Sequence, residues 1–112
     1  MRGLRRTLPD KRTVITIYCR VHKTINGSVL AVCDKELAGK TLRDGEIEFF
    51  VSEKFYRGTE ISEKQLRKKL KSFDNINLVG SKAVKIAVEE KLVGEKSILF
   101  IQKKPHVQIF VV

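Results

Sequence analysis

The chain has 112 residues, 42% of them hydrophobic, and its 23 basic and 13 acidic side chains give a formal net charge of +10. This length fits one domain with one modest core. Its apolar runs are far shorter than the roughly 18 residues of a membrane span, and the arginine-rich N-terminus lacks the apolar stretch of a secretory signal. The sequence therefore predicts a soluble, cytoplasmic protein without a membrane partner.

Residues 1–13 are predicted to form a basic N-terminal arm, and residues 14–112 a single domain. The arm has little hydrophobic periodicity and contains five cations against one carboxylate. A segment of this composition buries little apolar area by itself. Its arginines are suited to bidentate binding of phosphate and to stacking on bases.

Alternating apolar residues over 14–21 predict a first strand, and residues 28–33 predict the returning strand of a hairpin. Asn26-Gly27 lies between them and is a strong two-residue turn signal. The sequence therefore predicts an antiparallel pair at the start of the domain.

The two cysteines are too few for a disulfide scaffold and lack metal-binding spacing. With Asn26-Gly27 as the turn, Cys19 lies opposite Asp34 and Cys33 opposite Arg20. Because side chains alternate along a strand, the two sulfurs point to opposite faces of the sheet. The sequence therefore predicts two free thiols.

The segment after the hairpin contains weaker signals. Asp34 is predicted to cap a single helical turn over residues 35–37. Asp44-Gly45 is a turn signal before a third strand over residues 46–51. The structure of residues 52–57 is ambiguous from the sequence, and Gly58 ends this segment.

The clearest helix begins at Ser62. Ser62 and Gln65 have the spacing of a capping box, in which each side chain binds a free backbone N–H at the helix start. Leu66, Leu70 and Phe73 recur at helical spacing and form one apolar stripe.

A second helix is predicted over residues 81–90. Two further strands are predicted over residues 97–102 and 107–112, joined by a loop over residues 103–106. The resulting order is βββααββ, with about five strands in a mostly antiparallel sheet and two helices. The predicted fold class is α+β in a small single domain.

Positive charge is the strongest functional signal. On the first helix Lys64, Arg67, Lys68 and Lys71 lie on the face opposite the apolar stripe, and only Glu63 offsets them nearby. Such a face suits contact with phosphates, which is salt-dependent because condensed counterions are released. A solvated lysine-rich face of the kind found in heat-adapted proteins is the alternative interpretation.

The predicted RNA-binding residues combine the arm, this helix face and two lysines of the loop before the last strand. They are Arg2, Arg5, Arg6, Lys11, Arg12, Lys64, Arg67, Lys68, Lys71, Lys103 and Lys104.

The aromatic residues do not suggest a stacking platform for single-stranded RNA. The chain has no Trp, and its six Phe and two Tyr mostly occupy predicted strand or core positions. No RNP-type, KH-type or zinc-finger pattern is present. The predicted partner is therefore structured RNA, bound mainly through phosphates, without a metal or cofactor.

Two other functions stay open at this stage. Cys33, Asp34 and His106 are candidate parts of a small enzyme or an RNA-modification accessory with a cysteine nucleophile. The apolar end of the chain, residues 109–112, is a candidate edge strand of a protein–protein adaptor. The structural alternatives are a buried strand residue for Cys33, a helix cap for Asp34 and a turn residue for His106. For residues 109–112 the alternative is a buried, central strand.

Three spaced motifs resemble those of an archaeal family of unknown function, family 424 (DUF424), over roughly residues 14–112. They are the run from Ala31 to Thr41, the segment Asn77-Leu78-Val79-Gly80 with Ala83-Val84, and the segment Pro105-His106-Val107-Gln108. The resemblance implies an archaeal source and a compact α+β domain, and it supplies no reaction, cofactor or catalytic residue. The arm and Lys103-Lys104 add cations to the family pattern.

Taken together, the sequence predicts a non-catalytic RNA-binding protein. The most specific form of this hypothesis is an accessory archaeal ribosomal protein or a ribosome-associated translation factor. Its partners would be rRNA within a ribosomal subunit and neighbouring ribosomal proteins.

Overall fold

The structure, a computed structural model, describes residues 17–111. The predicted arm and the predicted start of the first strand at Val14 lie outside these residues. Within them the chain forms eight strands, three α-helices and two short 3-10 helices. The strands are β1 (Ile17–Thr24), β2 (Gly27–Asp34), β3 (Thr41–Asp44), β4 (Ile47–Phe50), β5 (Thr59–Ile61), β6 (Asn75–Val79), β7 (Leu99–Ile101) and β8 (Lys104–Phe110). The α-helices are α1 (Glu53–Tyr56), α2 (Glu63–Leu70) and α3 (Ser81–Glu89), and the 3-10 helices are Lys35–Leu37 and Glu95–Ser97.

Six strands form the main sheet, in the order β5-β1-β2-β6-β8-β7. The pair β2·β6 is parallel, and the other four neighbouring pairs are antiparallel. Strands β3 and β4 form a separate two-stranded hairpin. The α+β class with a mostly antiparallel sheet is confirmed.

A core lies on each side of the main sheet. On one side, α2 and α3 cover a cluster that includes Cys19, Leu30 and Leu78. On the other side, α1 and the β3–β4 hairpin cover a second cluster that includes Cys33, Leu42 and Tyr56. We call these two coverings the helix layer and the hairpin layer.

The predicted first hairpin exists, but its predicted register is wrong. Thr24 pairs with Gly27, so the two turn residues are Ile25 and Asn26. The Thr24 hydroxyl donates to the Gly27 carbonyl at 2.7 Å and accepts from the Asn26 N–H at 3.2 Å. Gly27 has φ +123°, so its conformational freedom is used just after the turn.

In the observed register Cys19 lies opposite Val32, and Cys33 lies opposite Tyr18. The shift of two residues preserves the faces, because side chains alternate with period two. Cys19 therefore packs in the helix-layer cluster and Cys33 in the hairpin-layer cluster. Both are free and buried, which confirms the predicted thiols.

The helices follow their sequence signals closely. The Ser62 side chain accepts from the Gln65 N–H and the Gln65 side chain accepts from the Ser62 N–H, so the capping box is confirmed. Helix α3 ends at Glu89, one residue before the predicted end. Among the residues that the structure describes, no helix is long and apolar enough to cross a membrane.

Several elements were missed or misplaced by the sequence analysis. It placed no strand at β3, β5 or β6, and left residues 52–57, which contain α1, unassigned. The predicted loop over residues 103–106 is also wrong, because β8 already begins at Lys104. Gln102 and Lys103 have φ values of +53° and +64° and make the tight turn between β7 and β8.

Candidate functional site

Asp34 ends β2 and caps the start of α3. Its carboxylate accepts hydrogen bonds from the backbone N–H groups of Lys82, at 3.0 Å, and Ala83, at 2.9 Å. The Asp34 side chain is buried, which raises the pKa of its carboxyl group, while the two backbone hydrogen bonds lower it. This arrangement satisfies donors that every helix leaves free in its first turn.

Gly80 allows the Asp34 carboxylate to lie close to the backbone at the start of α3. It has φ +113°, and a Cβ atom at this position would lie 2.3 Å from the Asp34 Cγ. The predicted turn over residues 35–37 is present as a 3-10 helix with Asp34 at its N-cap position, but the Asp34 side chain accepts no hydrogen bond from that turn. The carboxylate is used instead by a helix that is distant in sequence.

A second polar cluster lies under the hairpin layer, around Asn77 of β6. The Asn77 Oδ1 accepts from the buried Tyr56 hydroxyl and lies 3.3 Å from the His106 Nε2. Because an amide oxygen only accepts, His106 donates through a protonated Nε2. The His106 ring also packs on Phe49, with 4.7 Å between the ring centroids.

Burial lowers the pKa of His106, so the imidazole is mostly neutral at pH 7. Because the pKa of His106 is lower in the folded state, protonation of the ring favours the unfolded chain. The neutral ring therefore stabilises the fold fully at pH values above the unfolded-state pKa, about 6.5 for histidine. This stabilisation is lost as the pH falls below that value.

We expect the free energy of unfolding to fall between pH 7 and pH 5 in the native protein. In His106→Gln this fall should be smaller, because the amide still donates to Asn77 but does not titrate. Urea denaturation at several pH values measures both curves, and parallel curves would contradict the assignment.

Cys33 does not have the environment of an activated nucleophile. Its side chain is fully buried. Burial, together with the nearby carboxylates of Asp34 and Glu36, raises its pKa to about 12. The reactive form of cysteine is the thiolate, which these surroundings disfavour. With Asp34 engaged at α3 and His106 at Asn77, the three residues have separate structural contacts.

The predicted cationic face of α2 is partly neutralised. Arg67 binds Glu63 at 2.7 Å, Glu89 at 2.6 Å and Glu90 at 2.8 Å. The prediction that only Glu63 offsets these cations is therefore wrong, because α3 supplies two more carboxylates. Hydrogen bonding to Arg67 lowers the pKa of Glu90.

Lys71 lies 3.7 Å from Glu90, at the end of the same ion-pair cluster. Lys64 and Lys68 are exposed and have no ion-pair partner within residues 17–111. Of the four cations on this face, these two are therefore the most available to an external anion.

A groove of about 550 Å³ extends the helix layer toward β7. Val84 and Val88 of α3 form one wall, and Phe100 and Pro105 form another. Two lysines, Lys85 and Lys103, and two glutamates, Glu89 and Glu95, also line it. The turn lysine predicted to bind RNA is therefore on the same side of the sheet as α2, while Lys104 is half-buried at the start of β8.

The remaining predicted cations, Arg2, Arg5, Arg6, Lys11 and Arg12, lie outside the described residues. Within the described part of the chain, no three His, Cys, Asp or Glu side chains are grouped as metal ligands.

The sequence patterns do not identify Tyr56 or the exposure of several phenylalanines. Tyr56 falls in the segment left unassigned, although Ser52 before it accepts from the Phe55 N–H as a helix cap. Phe50, Phe100 and Phe110 lie in strands, as predicted, but their rings are more than half exposed. The alternation of buried and exposed residues along β8 is the signal that places Phe110 outward.

The last strand is internal to the sheet, since β8 lies between β6 and β7. Val107 and Ile109 are buried, whereas Phe110 and Val111 are more than half exposed. This position fits the central-strand alternative better than an edge strand that recruits a partner.

These features define a small α+β protein with a three-layer arrangement and two structural polar clusters. A crystal structure of an uncharacterized conserved protein from Methanopyrus kandleri is similar, with a TM-score of 0.71 and 28% sequence identity. The match covers 86% of this chain and 91% of that chain. A comparison with curated proteins gives no match.

The chain belongs to the family described as "Protein of unknown function (DUF424)", whose sequence profile matches residues 21–112. The resemblance expected from the three motifs is therefore confirmed. The match leaves the basic arm outside the family profile.

Proposed function

We propose that this protein is a non-catalytic, cytoplasmic RNA-binding protein that contacts structured RNA through its helix layer and basic arm. In its most specific form, the proposal is an accessory ribosomal protein or a ribosome-associated translation factor that binds rRNA. The observation that carries it is the excess of exposed cations that remains after the internal ion pairs are assigned.

On the helix layer this excess comes from lysines without an ion-pair partner in the described part of the chain. They are Lys64 and Lys68 on α2, Lys85 on α3, and Lys103 in the β7–β8 turn. Arg67 is left out of the interface, because three carboxylates already hold its guanidinium group. Phosphate contacts need cations that are free to exchange their counterions, and these lysines meet that requirement.

The chemistry at Cys33 gives no comparable support to an enzyme. A nucleophile must be deprotonated and reachable, and burial opposes both conditions at this position. The proposal therefore assigns Cys33, Asp34 and His106 to the fold.

The first prediction concerns the position of the RNA contact. We expect Lys64→Gln/Lys68→Gln to weaken binding to a structured rRNA fragment about 5- to 20-fold at low salt, and to reduce the salt slope by about 1–2. Lys40→Gln/Lys54→Gln removes the same charge from the hairpin layer and should change affinity less than about twofold. Fluorescence anisotropy at a series of salt concentrations measures both variants.

Equal losses in the two double variants would show a nonspecific charge effect and would contradict an interface on the helix layer. The arm is tested separately by Arg2→Gln/Arg5→Gln/Arg6→Gln. That variant should lose affinity while its unfolding curve stays unchanged. Unchanged binding would remove the arm from the proposed interface.

The ribosomal form of the proposal is tested by sedimentation of the tagged protein from native lysate through sucrose gradients. We expect it to migrate with one ribosomal subunit at low salt and to dissociate at high salt. Migration only at the top of the gradient, even at low salt, would contradict a ribosomal role.

A further inference from the structure

A group of amide side chains and one aromatic ring lies on the hairpin side of the main sheet. Asn77 of β6 lies opposite Gln108 of β8, and Asn75 lies opposite Phe110. Directly opposite residues share a face with their Cβ atoms about 5 Å apart, and residues two apart along a strand share it too. We call these four residues the amide patch.

Two hydrogen-bond donors under the hairpin layer fix the orientation of the Asn77 amide. Its Oδ1 is bound by the Tyr56 hydroxyl and the His106 Nε2, so both acceptor positions of this oxygen are used. Tyr56 is 2% exposed and cannot turn to another partner in solvent. The NH₂ group of Asn77 must therefore face away from these two donors, and it has no acceptor within residues 17–111.

Gln108 supplies a second, more adaptable amide. It is exposed, and its Nε2 lies 3.5 Å from the Asn75 Oδ1. This weak contact leaves the Gln108 oxygen and one N–H for an external partner.

Phe110 places an aromatic ring beside these amides. It lies two residues beyond Gln108 on the same face of β8, and it is 65% exposed. An exposed ring beside amide groups offers a flat surface on which a planar base can stack.

Arg20 lies on the same face, two strands from Asn77. It pairs with Ala31, and Ala31 in turn pairs with Asn77. Two inter-strand spacings separate Arg20 from Asn77 by about 10 Å. Gln108 lies one strand further away, about 15 Å from Arg20. Arg20 is exposed and has no ion-pair partner among the described residues, so it can bind a phosphate of a nucleotide that neighbours the one held at Gln108.

We propose that the amide patch binds the base of an unpaired adenine nucleotide in RNA. Phe110 stacks on the base, and the Gln108 amide forms two hydrogen bonds with its edge, donating to one ring nitrogen and accepting from the exocyclic amine. Side-chain amides pair with adenine in this bidentate way, and unpaired bases in RNA stack on exposed aromatic rings. This inference rests on the proposed RNA binding, and it adds a second contact with a base preference on the side of the sheet opposite the helix layer.

The test measures binding of the full chain to short labelled homopolymers of A, C, G and U by fluorescence anisotropy. We expect oligo(A) to bind about tenfold or more tightly than oligo(U). Gln108→Ala should remove most of this preference without changing the salt slope. Phe110→Ala should weaken binding to all four homopolymers by about fivefold or more, because stacking is tolerant of sequence.

Phe50→Ala is the matched control. Phe50 is exposed to a similar extent, 58%, but it lies on β4 of the separate hairpin, outside the amide patch and the helix layer. This variant should bind all four homopolymers as the native chain does. Because Gln108, Phe110 and Phe50 are all exposed, the three variants should fold normally.

Equal affinity for the four homopolymers, or a preference that survives Gln108→Ala, would overturn the inference. If the native chain still bound structured rRNA with a steep salt slope, the proposed function would stand without it. If the chain bound neither the homopolymers nor structured rRNA at any salt concentration, both proposals would fail.

Discussion

Replacing Asp34 by alanine should lower the free energy of unfolding by about 2–4 kcal/mol. The substitution removes the acceptor of the Lys82 and Ala83 N–H groups at the start of α3. These donors lie beside a carboxylate that is only 2% exposed, so water cannot easily replace it. Urea denaturation at pH 7, followed by circular dichroism, measures the change.

Asp34→Asn is the conservative control for this prediction. It keeps one acceptor oxygen at the cap and removes the buried charge, so it should cost at most about 1–2 kcal/mol. Equal losses in the alanine and asparagine variants would mean that the hydrogen bonds to α3 are not what stabilises this end of the sheet.

Gly80 provides an independent check of the same contact. Gly80→Ala should be more destabilising than Gly27→Ala, since both glycines have φ near +120° but only Gly80 faces a neighbour within 4 Å. In the Asp34→Ala background the clash with the carboxyl group is removed, but the Cβ of residue 34 still lies 2.7 Å from the added atom. The cost of Gly80→Ala should therefore fall in this background without reaching that of Gly27→Ala. A double-mutant cycle with no coupling would contradict the observed packing.

How much of this fold can be predicted from sequence depends on how local the signals are. The capping box of Ser62 and Gln65 needs only four consecutive residues, and it was predicted correctly. The apolar spacing of α3 is equally local. By contrast, β6 is a five-residue strand whose partners are β2 and β8, both distant along the chain. Nothing within those five residues specifies a parallel pairing.

The hairpin register shows a different limit. Asn26-Gly27 is a correct turn signal, but the pair does not occupy the two central turn positions. The Thr24 hydroxyl binds both flanking backbone groups and fixes the turn one residue earlier. The competing interaction comes from the side chain of Thr24, which lies outside the two-residue turn signal.

The candidate interface was predicted only in part, for the same reason. The cationic face of α2 is visible in the helical spacing of its lysines. The neutralisation of Arg67 is not, because its partners Glu89 and Glu90 lie more than twenty residues away on α3. Likewise, the amide patch becomes visible only when β6 and β8 are placed side by side.

The three motifs that resembled the family meet at neighbouring strands of this sheet. Asp34 of the first motif caps the helix that begins just after Gly80 of the second. Asn77 of the second motif binds His106 of the third. These residues therefore have structural contacts within the fold, and Asn77 and Gln108 of the same motifs also belong to the amide patch.

The second large effect is expected at Tyr56, which joins α1 to the main sheet. Tyr56→Ala removes a buried ring from the hairpin-layer cluster and one of the two hydrogen bonds to Asn77, and should cost about 3–5 kcal/mol. Tyr56→Phe keeps the ring and loses only the hydroxyl, so it should cost about 1–2 kcal/mol. Urea denaturation measures both losses.

The two cysteines report where the structure loosens in these variants. Cys33 lies in the same cluster as Tyr56, and Cys19 lies in the cluster on the other side of the sheet. In Tyr56→Ala we expect a thiol reagent to modify Cys33 much faster than in the native protein, while Cys19 stays slow. Peptide mapping by mass spectrometry separates the two rates. If both thiols reacted faster by the same factor, the hairpin layer would open only when the whole domain unfolds. If Cys33 still reacted slowly, Tyr56 would not be the residue that holds that layer closed.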